Sequence, residues 1–380
     1  MEIYLDNCAT TKVCRPAVDA AVKAMEQDYG NPSSLHRKGM DAEKILTEGR
    51  KLIASVLNCS PDCIYYTASA TESNNLAILG SAAAYPRGGK TIVTTAVEHP
   101  SVENTVAFLE GKGYTVRRVA PRADRNFDAA DLIDAVDEDT LLLSMMLVNN
   151  ETGTVTPVEP VVSALRKKYP RLLIHVDGVQ GFTKIPLNLK KTDIDFFSFS
   201  GHKLYAPKGI AGLYVKKGIR LSPVIYGGGQ EKGLRSGTQS VPLIAAMTEA
   251  IRLCRDHSKE YMEHYGRLNR HLRQALEEMP DVVIGSPENG CPHLLNLSVL
   301  GIPSEIMLHF LEERGIYVSS GSACSKGELS HVLRFFGFDS AYIRSALRVS
   351  FSKDTTIEEL DLFTESLGQG IQKLKKVIGS

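Results

Sequence analysis

Up to about residue 215 this chain alternates short apolar runs of strand character with stretches of helical spacing, and that alternation restricts its fold more than any other feature. Residues 64–67, 91–95, 141–148, 172–176, 196–199 and 212–215 are β-rich and apolar. Residues 16–27, 42–57, 76–84, 102–110 and 158–168 carry apolar residues at helical spacing. A short strand that is apolar throughout must be covered on both faces, and parallel neighbours need a crossover, usually helical. The pattern therefore predicts an α/β fold with a mostly parallel central sheet and helices on both faces.

The character changes after about residue 250. A long helical stretch, 250–279, leads into strand-like 282–284 and 293–299, a helix at 303–314 and a strand at 316–318. A Gly/Ser-rich segment, 319–326, precedes a strand at 347–351 and a closing helix at 357–377. These predict a smaller α+β domain, so the expected division is 15–250 for the large domain and 1–14 with 251–380 for the small one. The first fifteen residues either join the small domain or cross the active site.

Composition narrows the function. The chain has 380 residues, 43% hydrophobic and 23% charged, with 44 basic and 44 acidic residues. That balance gives no basic surface for nucleic acid or an anionic membrane, and Lys373, Lys375 and Lys376 read as one face of the last helix. No apolar run approaches the ~20 residues that span a bilayer. A start directly on Met1-Glu-Ile-Tyr-Leu-Asp6 lacks the features of a signal peptide, so a cytoplasmic protein is expected. The seven cysteines, an odd number without paired CxxC motifs, offer no zinc site and suit a reducing compartment.

Three segments carry candidate chemistry. Ser198-Phe-Ser-Gly-His-Lys203 ends an apolar strand in a lysine, and a desolvated lysine becomes a nucleophilic amine able to react with an aldehyde. Leu172-Leu-Ile-His-Val-Asp177, with Gln180 after it, ends a buried strand in a carboxylate that needs a cationic or hydrogen-bonding partner, such as a pyridinium. Thr67-Ala-Ser-Ala-Thr-Glu-Ser-Asn-Asn75 follows a strand with small and hydroxyl residues whose N–H groups suit a phosphate. Taken singly, these are also a solvated lysine, a loop-capping aspartate and an ordinary helix cap.

Together they resemble the class V aminotransferase family of fold-type I pyridoxal-phosphate (PLP) enzymes, and more nearly the cysteine desulfurases of the NifS/IscS type. The resemblance runs through Leu5-Asp-Asn-Cys-Ala-Thr-Thr11, Gly30-Asn-Pro-Ser-Ser34, Ala70-Thr-Glu-Ser-Asn-Asn75 and Glu98-His99. It continues through Val148-Asn-Asn-Glu-Thr-Gly153, His175-Val-Asp177, Ser200-Gly-His-Lys203, Gly227-Gly-Gly-Gln-Glu231, Arg235-Ser-Gly-Thr238 and Ser319-Ser-Gly-Ser-Ala-Cys324. The resemblance implies that Lys203 holds pyridoxal 5'-phosphate as a Schiff base, Asp177 pairs with the ring nitrogen, and Gln180 bonds the ring hydroxyl oxygen. It implies that His99 stacks on the ring and moves protons, that Asn150 sits beside ring and substrate, and that Ala70, Thr71, Ser200 and His202 hold the phosphate. Thr238 would reach the phosphate of a partner subunit in a homodimer with shared sites. Arg348, in Leu347-Arg-Val-Ser-Phe351, would grip the substrate carboxylate, with Arg344 as the fallback.

Cys324 decides the reaction that the resemblance implies. Its Gly/Ser-rich surroundings suit a reactive, accessible thiol better than a packed structural one. The implied activity removes sulfur from L-cysteine, releases L-alanine and leaves a Cys324 persulfide for an acceptor protein in iron–sulfur cluster assembly or transfer-RNA thiolation. A selenocysteine lyase and a class V aminotransferase are the alternatives on the same fold, and a scaffold that docks acceptors is a third. Three departures from the family pattern stand out: Cys8 for the usual alanine, Ser69 for a glycine, and an apparently short segment after Cys324.

Overall fold

The computed structural model describes residues 2–320 and 329–378. In chain order the first part comprises β1 (Ile3–Tyr4), α1 (Arg15–Glu26), α2 (Arg37–Leu57), β2 (Ile64–Thr67), α3 (Ala70–Ala84), β3 (Thr91–Thr95) and α4 (Pro100–Glu110). It continues with β4 (Thr115–Val119), α5 (Ala129–Asp134), β5 (Thr140–Met146), α6 (Val158–Lys168), β6 (Leu173–Asp177), β7 (Phe196–Ser200) and β8 (Ala211–Val215). The seven-stranded sheet has the order β2-β8-β7-β6-β5-β3-β4, and only β8 runs against its neighbours. Successive strand residues face opposite sides. Ile174 and Val176 of β6 therefore join the core under α1, α2, α6 and the later helix Val241–Asp256, while Leu173 joins the core under α3 and α4.

The second part comprises α7 (Val241–Asp256), α8 (Ser258–Glu277), β9 (Val282–Ile284), β10 (Leu294–Val299), α9 (Ser304–Glu312), β11 (Ile316–Tyr317) and β12 (Ser319–Ser320). It ends with α10 (His331–Phe335), α11 (Ser340–Arg344), β13 (Ala346–Ser350) and α12 (Ile357–Ile378). An antiparallel sheet, β12-β13-β10-β9, backs onto a separate apolar core with Leu268, Leu272, Phe310, Phe363 and Leu367. Ile3 and Leu5 enter that core, and β1 pairs in parallel with β11. Val332, Leu333, Phe336, Phe338 and Ile343 of the α10–α11 region instead pack into the larger core.

The predicted helix over 250–279 is two helices. α7 begins earlier, at Val241, and breaks at His257 before α8. The apolar face of α7 (Ile244, Met247, Ile251) enters the large core and that of α8 (Tyr265, Leu268, Leu272) the small one, so the break lets each helix follow its own core. β4 and α5 had no sequence expectation. β4 is an edge strand carrying Arg117 and Arg118, which hides the apolar alternation that marks the other strands. α2 starts five residues ahead of its apolar pattern because His36 Nδ1 caps it, accepting from Gly39 N–H.

Candidate active site

A cavity of about 510 Å³ opens where β2, β5, β6 and β7 end, on the carboxyl side of the parallel strands, the usual ligand position in open α/β sheets. Lys203, Asp177, Gln180, His99, Asn150, Ala70, Thr71, Ser200, His202 and Arg348 all line it. Residues expected from widely separated parts of the sequence thus meet around one space. Thr238 does not line it; it lies exposed beyond the Gly-rich segment 227–237. Arg344, the fallback, is exposed at the end of α11 and lies off the cavity, whereas Arg348 lines it. Cys324 lies outside the described residues.

Lys203 ends a single 3-10 turn, Gly201–Lys203, directly after β7. Its Nζ donates to the carbonyl oxygens of Cys8 (2.6 Å) and Ala9 (2.7 Å). Burial holds its pKa down at about 8. At pH 7 about one such amine in ten is neutral, against roughly one in three thousand for an ordinary lysine. The N-terminal segment therefore crosses the site as well as pairing with the small sheet. Thr11 N–H donates to the His202 carbonyl (2.9 Å), and Tyr205 N–H donates to Thr11 Oγ1 (2.8 Å), lacing the segment to the lysine turn.

Asp177 is buried at the end of β6. Its Oδ2 accepts from Asn74 Nδ2 (2.8 Å) and its Oδ1 from Val179 N–H (3.0 Å). Asn74 Nδ2 also donates to Ser101 Oγ (2.8 Å). The Ser101 hydroxyl, having accepted there, donates to His99 Nδ1 (2.8 Å), which further accepts the Ser101 backbone N–H (3.1 Å). With Nδ1 an acceptor, neutral His99 carries its proton on Nε2. Burial lowers the His99 pKa and Asp177 opposes that shift, so the ring is neutral near pH 7. Asn74 and Ser101 were not assigned roles from sequence; the available signal was a polar, buried face on the otherwise apolar α3.

The segment expected to hold the phosphate is the start of α3. Ser69 Oγ caps it by accepting from Glu72 N–H (3.2 Å). Among the described residues the N–H groups of Ala70 and Thr71 have no acceptor, as expected of a first helical turn. Ser200 and His202 stand opposite, and burial first, then Lys203 and Lys208, push the His202 pKa down to about 4, so it is a neutral donor. Arg348, on β13, donates from Nη1 to the Asn150 carbonyl (2.9 Å) and from Nη2 to Asp6 Oδ1 (2.9 Å). Its buried Nε has no partner among the described residues. Asn150 thus holds the arginine by its backbone. The set suits a molecule with an anionic end, a ring nitrogen and an aldehyde, beside a second, carboxylate-bearing molecule.

Two acids flank this set and were missed as titrating groups, Glu98 fully buried and Glu151 half-buried. Glu98 accepts from Thr95 Oγ1 (2.5 Å) and Met146 N–H (2.8 Å), and burial pushes its pKa up to about 8. Glu151 accepts from Ser330 Oγ (2.7 Å), and burial pushes its pKa up to about 7.

Fold and site together define an α/β chain that gathers one desolvated amine, a buried carboxylate and a helix start around a single cavity at the carboxyl ends of its parallel strands. The chain belongs to the aminotransferase class-V family, whose description matches residues 3–363. A curated relative described as a NifS/IcsS protein homolog, from Lactobacillus delbrueckii subsp. bulgaricus, is 40% identical over 99% of this chain and 98% of its own. The relative described as cysteine desulfurase IscS, from Serratia proteamaculans, is 38% identical over 99% of this chain and 94% of its own. A solved structure described as a NifS-like protein superposes with a TM-score of 0.92 at 37% identity, covering 97% of this chain and 99% of that one.

Proposed function

We propose that this chain is a cysteine desulfurase that uses pyridoxal 5'-phosphate to take sulfur from L-cysteine, leaving L-alanine and a persulfide on Cys324. The observation that carries the reading is the single cavity in which a depressed-pKa lysine, a buried carboxylate, a helix start whose first N–H groups have no acceptor among the described residues, and an arginine converge. Full-length likeness to relatives described as cysteine desulfurases supports it. The residues fit the cofactor: the unpartnered N–H groups of α3 suit its phosphate and Asp177 its ring nitrogen.

When bound, the cofactor supplies an aldehyde for exchange with the substrate amine and a ring that accepts the electrons released at the α-carbon. In this reading Lys203 Nζ provides the resident amine, then removes and returns the α-proton. Asp177, fixed by Asn74 and the Val179 N–H, keeps its acceptor oxygen toward the ring nitrogen. His99 offers the Nε2 proton, Gln180 an amide N–H for the ring oxygen, and Asn150 lies beside the substrate. Ala70, Thr71, Ser200 and His202 take the phosphate, with Thr238 of the partner subunit completing it in a homodimer. Arg348 binds the substrate carboxylate, for which its planar fork is suited. Cys324 Sγ then attacks the substrate sulfur; an S–S bond forms as the C–S bond breaks, and a neighbouring donor protonates the carbon. The persulfide passes to an acceptor protein, in iron–sulfur cluster assembly or transfer-RNA thiolation. The six described cysteines are all free. No helix among the described residues is long and apolar enough to cross a membrane.

The test is to supply cysteine and a reductant and to follow alanine, sulfide and the visible band of bound cofactor. Lys203→Ala is expected to lose the band and turnover. Cys324→Ser is expected to keep the band and lose sulfide release, and undiminished sulfide would remove the persulfide step. Selenocysteine turnover far above cysteine turnover would turn the reading toward a lyase.

A further inference from the structure

Behind the cavity wall lies a chain of buried groups that joins the small sheet to the lysine. His293 immediately precedes β10 and is buried, as are Cys291 and Gln180. His293 Nε2 stands 3.2 Å from Gln180 Oε1, and its Nδ1 stands 3.0 Å from Cys291 Sγ. Gln180 Nε2 donates to the Cys8 carbonyl (3.1 Å), the same oxygen that accepts from Lys203 Nζ (2.6 Å).

The donors and acceptors of this chain permit one arrangement. Burial holds His293 neutral, with its pKa far below the usual value, and pushes the Cys291 thiol up to about 12. The imidazole therefore has one N–H and the thiol keeps its hydrogen. If the N–H sat on Nδ1, the bare Nε2 would face the Gln180 oxygen, acceptor against acceptor. Turning the amide over would then set that oxygen against the Cys8 carbonyl, again two acceptors. Only the Nε2–H tautomer, with Nδ1 accepting from the Cys291 thiol, satisfies every group, and buried groups left unpaired carry a large penalty. His293 also sits firmly: its carbonyl accepts from Phe351 N–H (2.8 Å), and Asn269 Nδ2 donates to the preceding Pro292 carbonyl (3.1 Å).

We propose that His293 is a positioning residue for Gln180, its Nε2–H holding the amide oxygen so that the amide N–H groups face the Cys8 carbonyl and the cavity. The proposal rests on the cofactor reading above, in which the second Gln180 N–H serves the ring oxygen. It makes the seating of the small sheet part of cofactor recognition, through a residue that does not line the cavity.

The test titrates apoprotein with pyridoxal phosphate and reads the dissociation constant and the visible band. The variants are His293→Phe, His293→Gln, Cys291→Ala, Gln180→Leu and the Gln180→Leu/His293→Phe double, each checked for a native melting transition. His293→Phe is expected to shift the band and weaken binding about ten-fold, the loss of one hydrogen bond to a charged ring oxygen. His293→Gln restores most of both, because its amide can donate. Cys291→Ala, the mildest change, moves the band in the same direction by less. In the Gln180→Leu background, His293→Phe adds nothing, since coupled residues fail to add. An unmoved band and constant in both His293→Phe and Cys291→Ala, or an effect that adds fully to Gln180→Leu, would overturn the proposal. Absence of a Lys203-dependent band in the parent is a different result, and it would overturn the cofactor reading itself.

Discussion

Glu98 shows how a single residue's surroundings set its charge beside the site. Its carboxyl is buried, has one oxygen without a partner among the described residues and feels the negative Asp177, so its pKa stands near 8. At pH 7 it is mainly neutral and so adds little negative charge beside Asp177. Between the ordinary carboxyl value of about 4.5 and about 8 the folded chain holds a proton that the unfolded chain has released. Stability therefore falls as pH rises through that window. Glu98→Gln lacks this loss: denaturant unfolding is expected to find it close to the parent at pH 5 and more stable at pH 8, by an amount on the order of a few kcal/mol. Equal pH slopes in the two proteins would show that Glu98 does not titrate there. Lys203 has the opposite sign of proton uptake. Its folded form sheds a proton near pH 8, so the rate at which apoprotein reacts with pyridoxal phosphate is expected to rise about ten-fold per unit below pH 8 and level off above it.

At the scale of elements, the position of Asp177 depends on the strand ends around it. Gly178 follows it at the end of β6, where an added Cβ would lie 1.9 Å from Phe197 Cζ of β7. On the neighbouring pair, a Cβ on Gly212 of β8 would lie 2.2 Å from Phe199 Cζ. The Phe197 and Phe199 rings thus lie directly over the two glycines. Gly178→Ala is expected to displace the Phe197 ring and cost about 1–3 kcal/mol in denaturant unfolding, with weaker cofactor retention. Unchanged stability would mean that the ring has room to turn aside. The α3 end is set differently, by the Ser69 cap and by the Glu72–Arg235 ion pair (2.7 Å), which ties the Gly-rich segment to that helix.

At the scale of the whole molecule, the N-terminal segment and the segment carrying Thr238 hold distant parts together. Asp6 pairs with Arg348 of β13, while Cys8 and Ala9 receive Lys203, so one stretch spans the small sheet and the lysine turn. We propose the division into 15–250 and 1–14 with 251–380 on this basis, with the α10–α11 region packed back onto the larger core. The Thr238 segment is pinned through Glu231, buried at left-handed φ (49°), which accepts from Arg50 (2.6 Å) and Tyr66 N–H (2.8 Å). That anchoring presents Thr238 outward, away from its own cavity. If subunits share sites, mixing Lys203→Ala with Thr238→Val chains is expected to restore cofactor-bound, active sites in mixed dimers, because one site then has both native residues. Mixtures no better than the two separate variants would place Thr238 outside the site.

The amino-acid order alone determined the sheet-and-helix alternation and the segments bearing Lys203, Asp177 and the start of α3, because periodicity and strand-end chemistry are local properties; His99 was named only by the family resemblance. It did not reveal the break at His257, the edge strand β4 or the start of α2, where caps and separate cores outweigh the apolar pattern. The tertiary structure alone decided that Asn74 joins Asp177 to Ser101 and His99, that Glu98 and Glu151 are acids pushed upward, and that His293 meets Gln180 across 113 residues. Those facts follow from desolvation and from which donors meet which acceptors, and both exist only once distant segments have been brought into contact.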